Sequence, residues 1–366
     1  MKRIYIALFA LLLAGSAFAQ TSMDGLLPKS AKNMGMGGAF TTFSTGYDSF
    51  FGNPAGFATK NGSLTIADIG LWAYIRPNQT NLDRVNELMA PETDETRMGA
   101  IINEMQTENN GLGAGASLGL GWAGKGFGLG LTVVTDETTE ALTVKSKNEL
   151  NAIAGLAFPI NLGIFKVNLG ADVRAFYRLD SDGAWNIFDI ANDSIGTQPV
   201  LGGYGFAVDA GTTVEVGPFM LGATVRDFGL GFTMENGVMQ DVIDGNLPMG
   251  GTSEYILDPK VAAGLGFKFN LGKVLASSIY AEASDVIAVV DSGFGDIWTN
   301  LHFGAEVKMF NFLAIRGGLN QGYYSLGAGV DLLFLEVDAA VFTEEAGLYA
   351  QDRPRSGVAL QVAIRF

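Results

Sequence analysis

The sequence predicts an all-β fold: a transmembrane antiparallel β-barrel of about fourteen strands, with an N-terminal plug inside its lumen. Three observations carry this expectation. An export leader precedes a chain with no second long apolar run. A period-two alternation of apolar and polar residues recurs along the chain. Short and long connections take turns between the alternating segments, with one exception.

The leader comes first. Met1-Lys2-Arg3 is followed by an apolar run from Ile4 to Gly15 and then Ser16-Ala17-Phe18-Ala19, with small residues placed for a cut after Ala19. This is the build of a secretory signal peptide over residues 1–19. Its apolar run is shorter than the ~20 residues a spanning helix needs. No cysteine follows the cut, which excludes a lipoprotein, a disulfide framework and a thiolate metal site. Once Lys2 and Arg3 are removed, 21 basic residues face 38 acidic ones, a net charge of −17. Nucleic-acid binding needs a basic face, so it is not expected. Glycine is abundant, at 50 of 366 residues. Mean hydropathy is positive although no helical span is present. A barrel is the other structure that satisfies its backbone in lipid.

Residues 20–61 come next. They are too long and too apolar for a loose tail, and they end in the compact run "SFFGNPAGFAT". The alternating part follows over 62–366. Its fourteen expected strands lie near 63–76, 111–123, 126–137, 147–159, 164–178, 202–217, 219–233, 259–271, 274–290, 298–309, 312–320, 323–333, 335–345 and 356–366. In the fifth, Phe165, Val167, Leu169, Ala171 and Val173 alternate with Lys166, Asn168, Gly170, Asp172 and Arg174. In the tenth, Leu301, Phe303, Ala305 and Val307 alternate with His302, Gly304, Glu306 and Lys308. The last reads Val358, Leu360, Val362, Ile364 and Phe366 against Ala359, Gln361, Ala363 and Arg365. Apolar-out and polar-in at period two is the pattern of a membrane barrel. A final strand closing on an aromatic residue resembles the sorting signal of bacterial outer-membrane barrels. Connections after even-numbered strands are short, such as "AGKG" and "VGPF", and those after odd-numbered strands are mostly long. This assigns the two mouths to the periplasmic and outer sides. The connection near Gln321 is short on the outer side.

The outer loops hold the remaining expectations. Met98, Ile101, Ile102 and Met105 recur at helical spacing after Thr93-Asp94, so a helix is expected in the first outer loop. The loops at 179–201 and 234–258 carry Trp185, Ile187, Phe188, Val242, Ile243 and Leu247. Exposed loops seldom hold so many apolar residues unless these pack together or bind something apolar. These six are the candidate ligand groove.

The run "AKNMGMGGAFTTFSTGYDSFFGNPAGFA" resembles the N-terminal segment of the FadL family of outer-membrane long-chain fatty-acid transporters. The shared elements are Met36-Gly37-Gly38-Ala39, an Asp-Ser before paired aromatics, and Asn53-Pro54-Ala55-Gly56. The resemblance implies a hatch folded inside a fourteen-stranded barrel. Asn53, Pro54, Ala55 and Gly56 would form its gating turn, and Phe50, Phe51 and Phe57 would pack around it. It further implies an outer-membrane monomer without cofactor or metal. A long-chain fatty acid or another hydrophobic small molecule would pass from an outer groove to a lumenal pocket. It would then leave sideways through a gap at a kinked strand, surrounded by outer-membrane lipids. The third strand, with Gly126, Gly128 and Gly130 followed by polar residues, is the place expected for the kink.

Three other functions are compatible with a barrel. A lipase-like hydrolase would need His302, the one histidine, but a lone inward histidine among charges is usually structural. No enzyme is expected. A general diffusion porin would use the inward charges to line a wet channel. A PorV-like barrel would serve secretion, surface attachment or a scaffold role.

Overall fold

The computed structural model describes residues 21–366 except 91–92, 141–142, 184, 187–194, 230, 272–274 and 293–296. The expected signal peptide lies outside the described residues, as do Ile187 and Phe188 of the expected groove.

Fourteen antiparallel strands form a closed barrel. They are β1 Ser63–Tyr74, β2 Leu112–Gly124, β3 Phe127–Glu140, β4 Thr143–Leu162, β5 Phe165–Ser181, β6 Pro199–Val216 and β7 Phe219–Gly229. The second half comprises β8 Lys260–Leu271, β9 Leu275–Ala283, β10 Leu301–Met309, β11 Leu313–Asn320, β12 Tyr323–Leu332, β13 Leu335–Glu345 and β14 Pro354–Arg365. β14 pairs with β1 from Val358↔Ala73 to Arg365↔Thr65 and so closes the ring. The alternation has the expected phase. Leu169 and Val173 are exposed on the outside of β5, while Asn168, Asp172 and Arg174 are buried inside. The same holds around the wall, with Leu71, Leu129, Leu221, Leu265, Ile279, Ile315, Leu326 and Leu360 outward. Every ladder bond runs between strands, and an apolar belt faces outward. This is a surface built for a bilayer, and barrels of this build are outer-membrane proteins.

Short turns gather at one mouth. Lys125 and Gly126 turn from β2 to β3 with φ of 56° and 93°, the left-handed pair that matches strand twist. Aromatic residues ring this mouth: Trp122 stacks on Phe127 at 5.8 Å and Phe310 on Phe312 at 6.2 Å. The terminal Phe366 stacks on Phe334 at 5.8 Å and exchanges two backbone hydrogen bonds of 2.9 Å with Leu64. The other mouth carries the long loops. There α2 Gln79–Leu88 and α3 Glu95–Asn109 follow β1, with Asp94 capping α3 by accepting from Arg97 N. The helix α3 was expected and α2 was not. The short outer turn at Gln321-Gly322 is present.

Three expectations are corrected. The ninth strand does not run to 290. It stops at Ala283, and Asp285 accepts hydrogen bonds from Ile287 N and Ala288 N to start the short helix α5 Val286–Asp291. An acidic cap decides between helix and strand where an apolar run alone cannot. The third strand is not kinked. β3 pairs without a register shift to β2 from Leu112↔Thr139 to Gly124↔Phe127, and to β4 from Phe127↔Leu156 to Glu140↔Thr143. The seventh strand, by contrast, is interrupted. β7 ends at Gly229, and a separate strand Phe232–Val238 continues it. Asp227 takes φ 59° there, and the β6–β7 register shifts between Val208 and Ala210.

The N-terminal residues fill the lumen. The strand Thr21–Met23 pairs in parallel with Tyr255–Leu257 near the long-loop mouth. The chain then descends through helix α1 (Ala31–Gly35) and two 3-10 turns, Gly46–Phe50 and Pro54–Ala58, before joining β1. Leu26, Met34, Tyr47, Phe50, Phe51 and Phe57 make one core with the inward Trp72, Tyr74, Val134, Ile153 and Phe342 of the wall.

Candidate functional site

The turn at Asn53-Pro54 is held from all sides. Pro54 occupies the first position of its 3-10 turn, where a missing N–H costs nothing. Asn53 caps the turn by accepting from Ala55 N at 3.0 Å. Its Nδ2 donates to Thr41 O (3.1 Å), Thr212 O (3.1 Å) and Ala223 O (3.3 Å). One side chain thus ties the turn to another part of the inner segment and to β6 and β7. Asn53 and Phe57 are both 0 % exposed. Phe57 packs against Phe50 at 5.4 Å, and Tyr47 meets Phe50 at 5.6 Å and Phe51 at 5.7 Å. Ala55 is buried beside them. At Gly56 an added Cβ would lie 2.2 Å from Ser49 Oγ and 2.3 Å from Ser44 O, so no larger residue fits the backbone there.

The wall is cut to receive this segment. An added Cβ at Gly128 or Gly155 would come within 2.5 Å of the Phe57 ring, and one at Gly170 within 2.4 Å of the Pro54 carbonyl. Inward glycines in the strands therefore mark where the inner segment touches the barrel, which is a close-approach use of glycine. The glycines of β3 serve the rings of Phe57 and Phe50 in this way, not a bend.

Charges complete the seat. On one side of the inner segment, its own Lys32 and Asp48 pair at 2.6 Å, and the charge of Asp48 raises the Lys32 ammonium above its usual value. Arg316 bridges Glu306 (2.7 Å) and Asp338, and Arg365 bridges Asp68 and Glu336. All of these groups but Asp68 line a polar cavity of about 460 Å³ that extends to Thr59–Ser63, where the chain leaves the lumen. Above it, Arg174 pairs with Glu149 (2.9 Å) and Asp227, and Arg178 pairs with Asp180 (2.9 Å). Glu282 accepts from Thr41 N at 2.8 Å and Thr41 Oγ1 at 2.6 Å. His302 is buried between Gly37 O (2.7 Å) and Ser284 Oγ (3.1 Å), so it ties α1's exit to the wall.

The four described groove residues separate. Trp185 is buried, donates from Nε1 to Pro199 O at 2.7 Å, and packs with Val144, Val200, Met239 and Val242. Ile243, at the end of helix α4 (Met239–Ile243), and Leu247 are exposed at this mouth. A second apolar group lies deeper: Phe176, Phe232, Met234 and Leu257 are buried together, with Met23, Leu201 and Tyr255 packed against them. Sequence reasoning missed it. Phe176 continues the inward phase of β5 after Arg174, and an aromatic residue on that charged face was the available signal. Beside the break in β7, a cavity of about 240 Å³ is lined by Leu27, Phe40, Arg226, Asp227, Lys260 and Glu282 among others.

No protein-family model matches the sequence, and no curated protein matches it. Solved structures do. CymD, a monoaromatic hydrocarbon channel, is similar with a TM-score of 0.52 at 14% identity, over 94% of this chain and 98% of that one. The Ralstonia pickettii toluene transporter TbuX is similar with a TM-score of 0.49 at 13% identity, over 92% of this chain and 98% of that one. A Pseudomonas aeruginosa FadL homologue gives a TM-score of 0.43 at 12% identity, over 93% of this chain and 98% of that one. The chain shares the fold of the CymD channel.

Proposed function

We propose that this protein is a passive outer-membrane channel for small hydrophobic molecules, with residues 20–61 as its hatch. The observation that carries the reading is the joint presence of a seated inner segment and a wall break. The seat fills the lumen with Asn53, Phe50 and Phe57, which opposes a wide water-filled pore. The break at Asp227 is where the cargo would leave through the wall. An apolar cargo gains little from an aqueous pore and much from a continuous greasy path. Its path would start at exposed Ile243 and Leu247. It would pass the lumenal group around Phe176 and leave at β7 rather than β3. Long-chain fatty acids and monoaromatic hydrocarbons, the cargo of the CymD channel, both fall in this class. No energy source is required, because diffusion down a gradient suffices.

Protein purified in mild detergent, extracted and examined by mass spectrometry should yield a bound apolar compound. Recovery of none, together with no uptake defect in a deletion strain, would favour a secretion or scaffold barrel. In planar bilayers the intact protein should show no steady open conductance, and a variant lacking residues 21–60 should show one.

A further inference from the structure

The lipid-facing wall has a hollow over β3–β5. Ala154 stands in register between Leu129 and Val173, and Ala171 between Leu156 and Ala210. Larger exposed side chains rise around these alanines, among them Leu129, Leu156, Phe158, Leu169 and Val173. The hollow they enclose has a volume of about 750 Å³. It lies in the half of the apolar belt next to the short-turn mouth, since it is lined by Phe127 at the start of β3 and Phe158 near the end of β4. Short turns mark the periplasmic side of such barrels.

Two cations stand at the foot of the hollow. Lys125 forms the β2–β3 turn, two residues before Phe127, and is exposed. Its backbone N donates to Thr59 O at 2.8 Å, which brings the exposed Lys60 beside it. Neither lysine has an ion-pair partner among the described residues. Lys60 also borders the polar cavity, but the acids there are already engaged: Glu306 and Asp338 by Arg316, Glu336 by Arg365 and Asp331 by Lys308. The β4–β5 turn beside them, Asn161 to Ile164, carries no charge. Trp122 lies 5.6 Å from Lys125 Nζ and stacks on Phe127, at the depth where interfacial aromatics sit.

We propose that the hollow and the two lysines form one binding site for an anionic phospholipid of the periplasmic leaflet. An acyl chain lies over Ala154 and Ala171, and the headgroup phosphate sits between Lys60 and Lys125. A chain that fills the hollow gains dispersion contacts that a flat wall does not offer. Two neighbouring ammonium groups without acids between them select a negative headgroup. The site also bears on the inner segment. On the lumenal side of the same strands, Gly128 and Gly155 receive Phe57 and Gly170 receives Pro54. Only backbone separates the lipid from that seat. The turn that carries Lys125 is itself bonded to the inner segment, Gly126 N donating to Phe57 O at 2.8 Å. A phosphate shared by Lys60 and Lys125 therefore ties the end of the inner segment to the wall. The site is independent of the cargo and of its path.

The test is native mass spectrometry of the whole protein, released from micelles containing equal amounts of phosphatidylglycerol and phosphatidylethanolamine. Wild type should retain phosphatidylglycerol over phosphatidylethanolamine by roughly tenfold or more, as two basic residues at a membrane surface would give. The double variant Lys60→Ser with Lys125→Ser should lose the preference. The double variant Ala154→Leu with Ala171→Leu fills the hollow with apolar groups that lipid tolerates, and should lose retention of both lipids. Ala328→Leu, at an exposed position on β12, should behave as wild type. Phosphatidylglycerol should also raise the unfolding temperature of wild type more than that of the lysine variant. Equal retention of the two lipids by wild type, undiminished retention by the leucine variant, or equal rises in unfolding temperature overturns the proposal. A dimer in the same spectra that the leucine variant loses would assign the hollow to a second copy of the chain, and overturns it as well.

Discussion

The two ends of the inner segment are held in opposite ways. At Asn53–Phe57 the wall supplies two backbone carbonyls, two glycine recesses against the Phe57 ring, and full burial. At Thr21–Met23 the wall supplies one edge of a short parallel ladder, and two of the three residues are exposed. Both ends lie in the same barrel and belong to one continuous run of chain. The difference shows that a lumenal segment need not move as a body. The free energy of local opening follows the burial and bonding of each stretch, so the two ends need not open together.

Substitutions that fill the recesses should break the comparison most. Gly170→Leu places a side chain where the Pro54 carbonyl sits, at 2.4 Å from the first added carbon. The expected outcome is failure to reach the compact heat-modifiable form seen on gels for folded barrels. Emptying the seat comes next. Phe57→Ala removes a fully buried ring and should lower stability by about 3–5 kcal/mol in urea unfolding from micelles. Asn53→Ala leaves three carbonyls without their donor and should cost about 1–3 kcal/mol by the same measurement. At the other end, Met23→Ala should cost less than about 1 kcal/mol, since its strand is short and partly exposed. A cost as large as that of Phe57→Ala would erase the contrast between the ends. Smallest in stability is Ile243→Ser at the outer mouth, expected within about 0.5 kcal/mol of wild type. Its reading is the amount of apolar compound recovered, which should fall while the unfolding midpoint holds.

Much of the barrel was legible because lipid and lumen impose opposite chemistries on alternate residues. Phe165 to Arg174 carries that record in its own order, as do Val358 to Phe366. The inward glycines were legible as glycines but not as seats, since the group that each meets lies far away in the chain, as Phe57 does from Gly155. The break in β7 was hidden for a different reason. The run "DFGLGF" continues a plausible strand, and only the φ of Asp227 and the shifted register reveal the interruption. Helix α5 was lost because Val286 to Val290 is apolar throughout and has no period to read. Of the loop residues, Trp185 and Val242 answer to each other, while Ile243 and Leu247 answer to solvent. Composition alone could not sort them, because both fates use the same residue types.

The bond pair between Phe366 and Leu64 has a consequence for time as well as shape. It extends the ladder by which β14 meets β1 and completes the ring. Until β14 meets β1, the barrel is an open sheet. The inner segment precedes every strand in the chain and lies inside all of them when the ring shuts. Contacts this distant in sequence form slowly, so a delay in the final strand prolongs the one stage at which the contents of the lumen are still undecided.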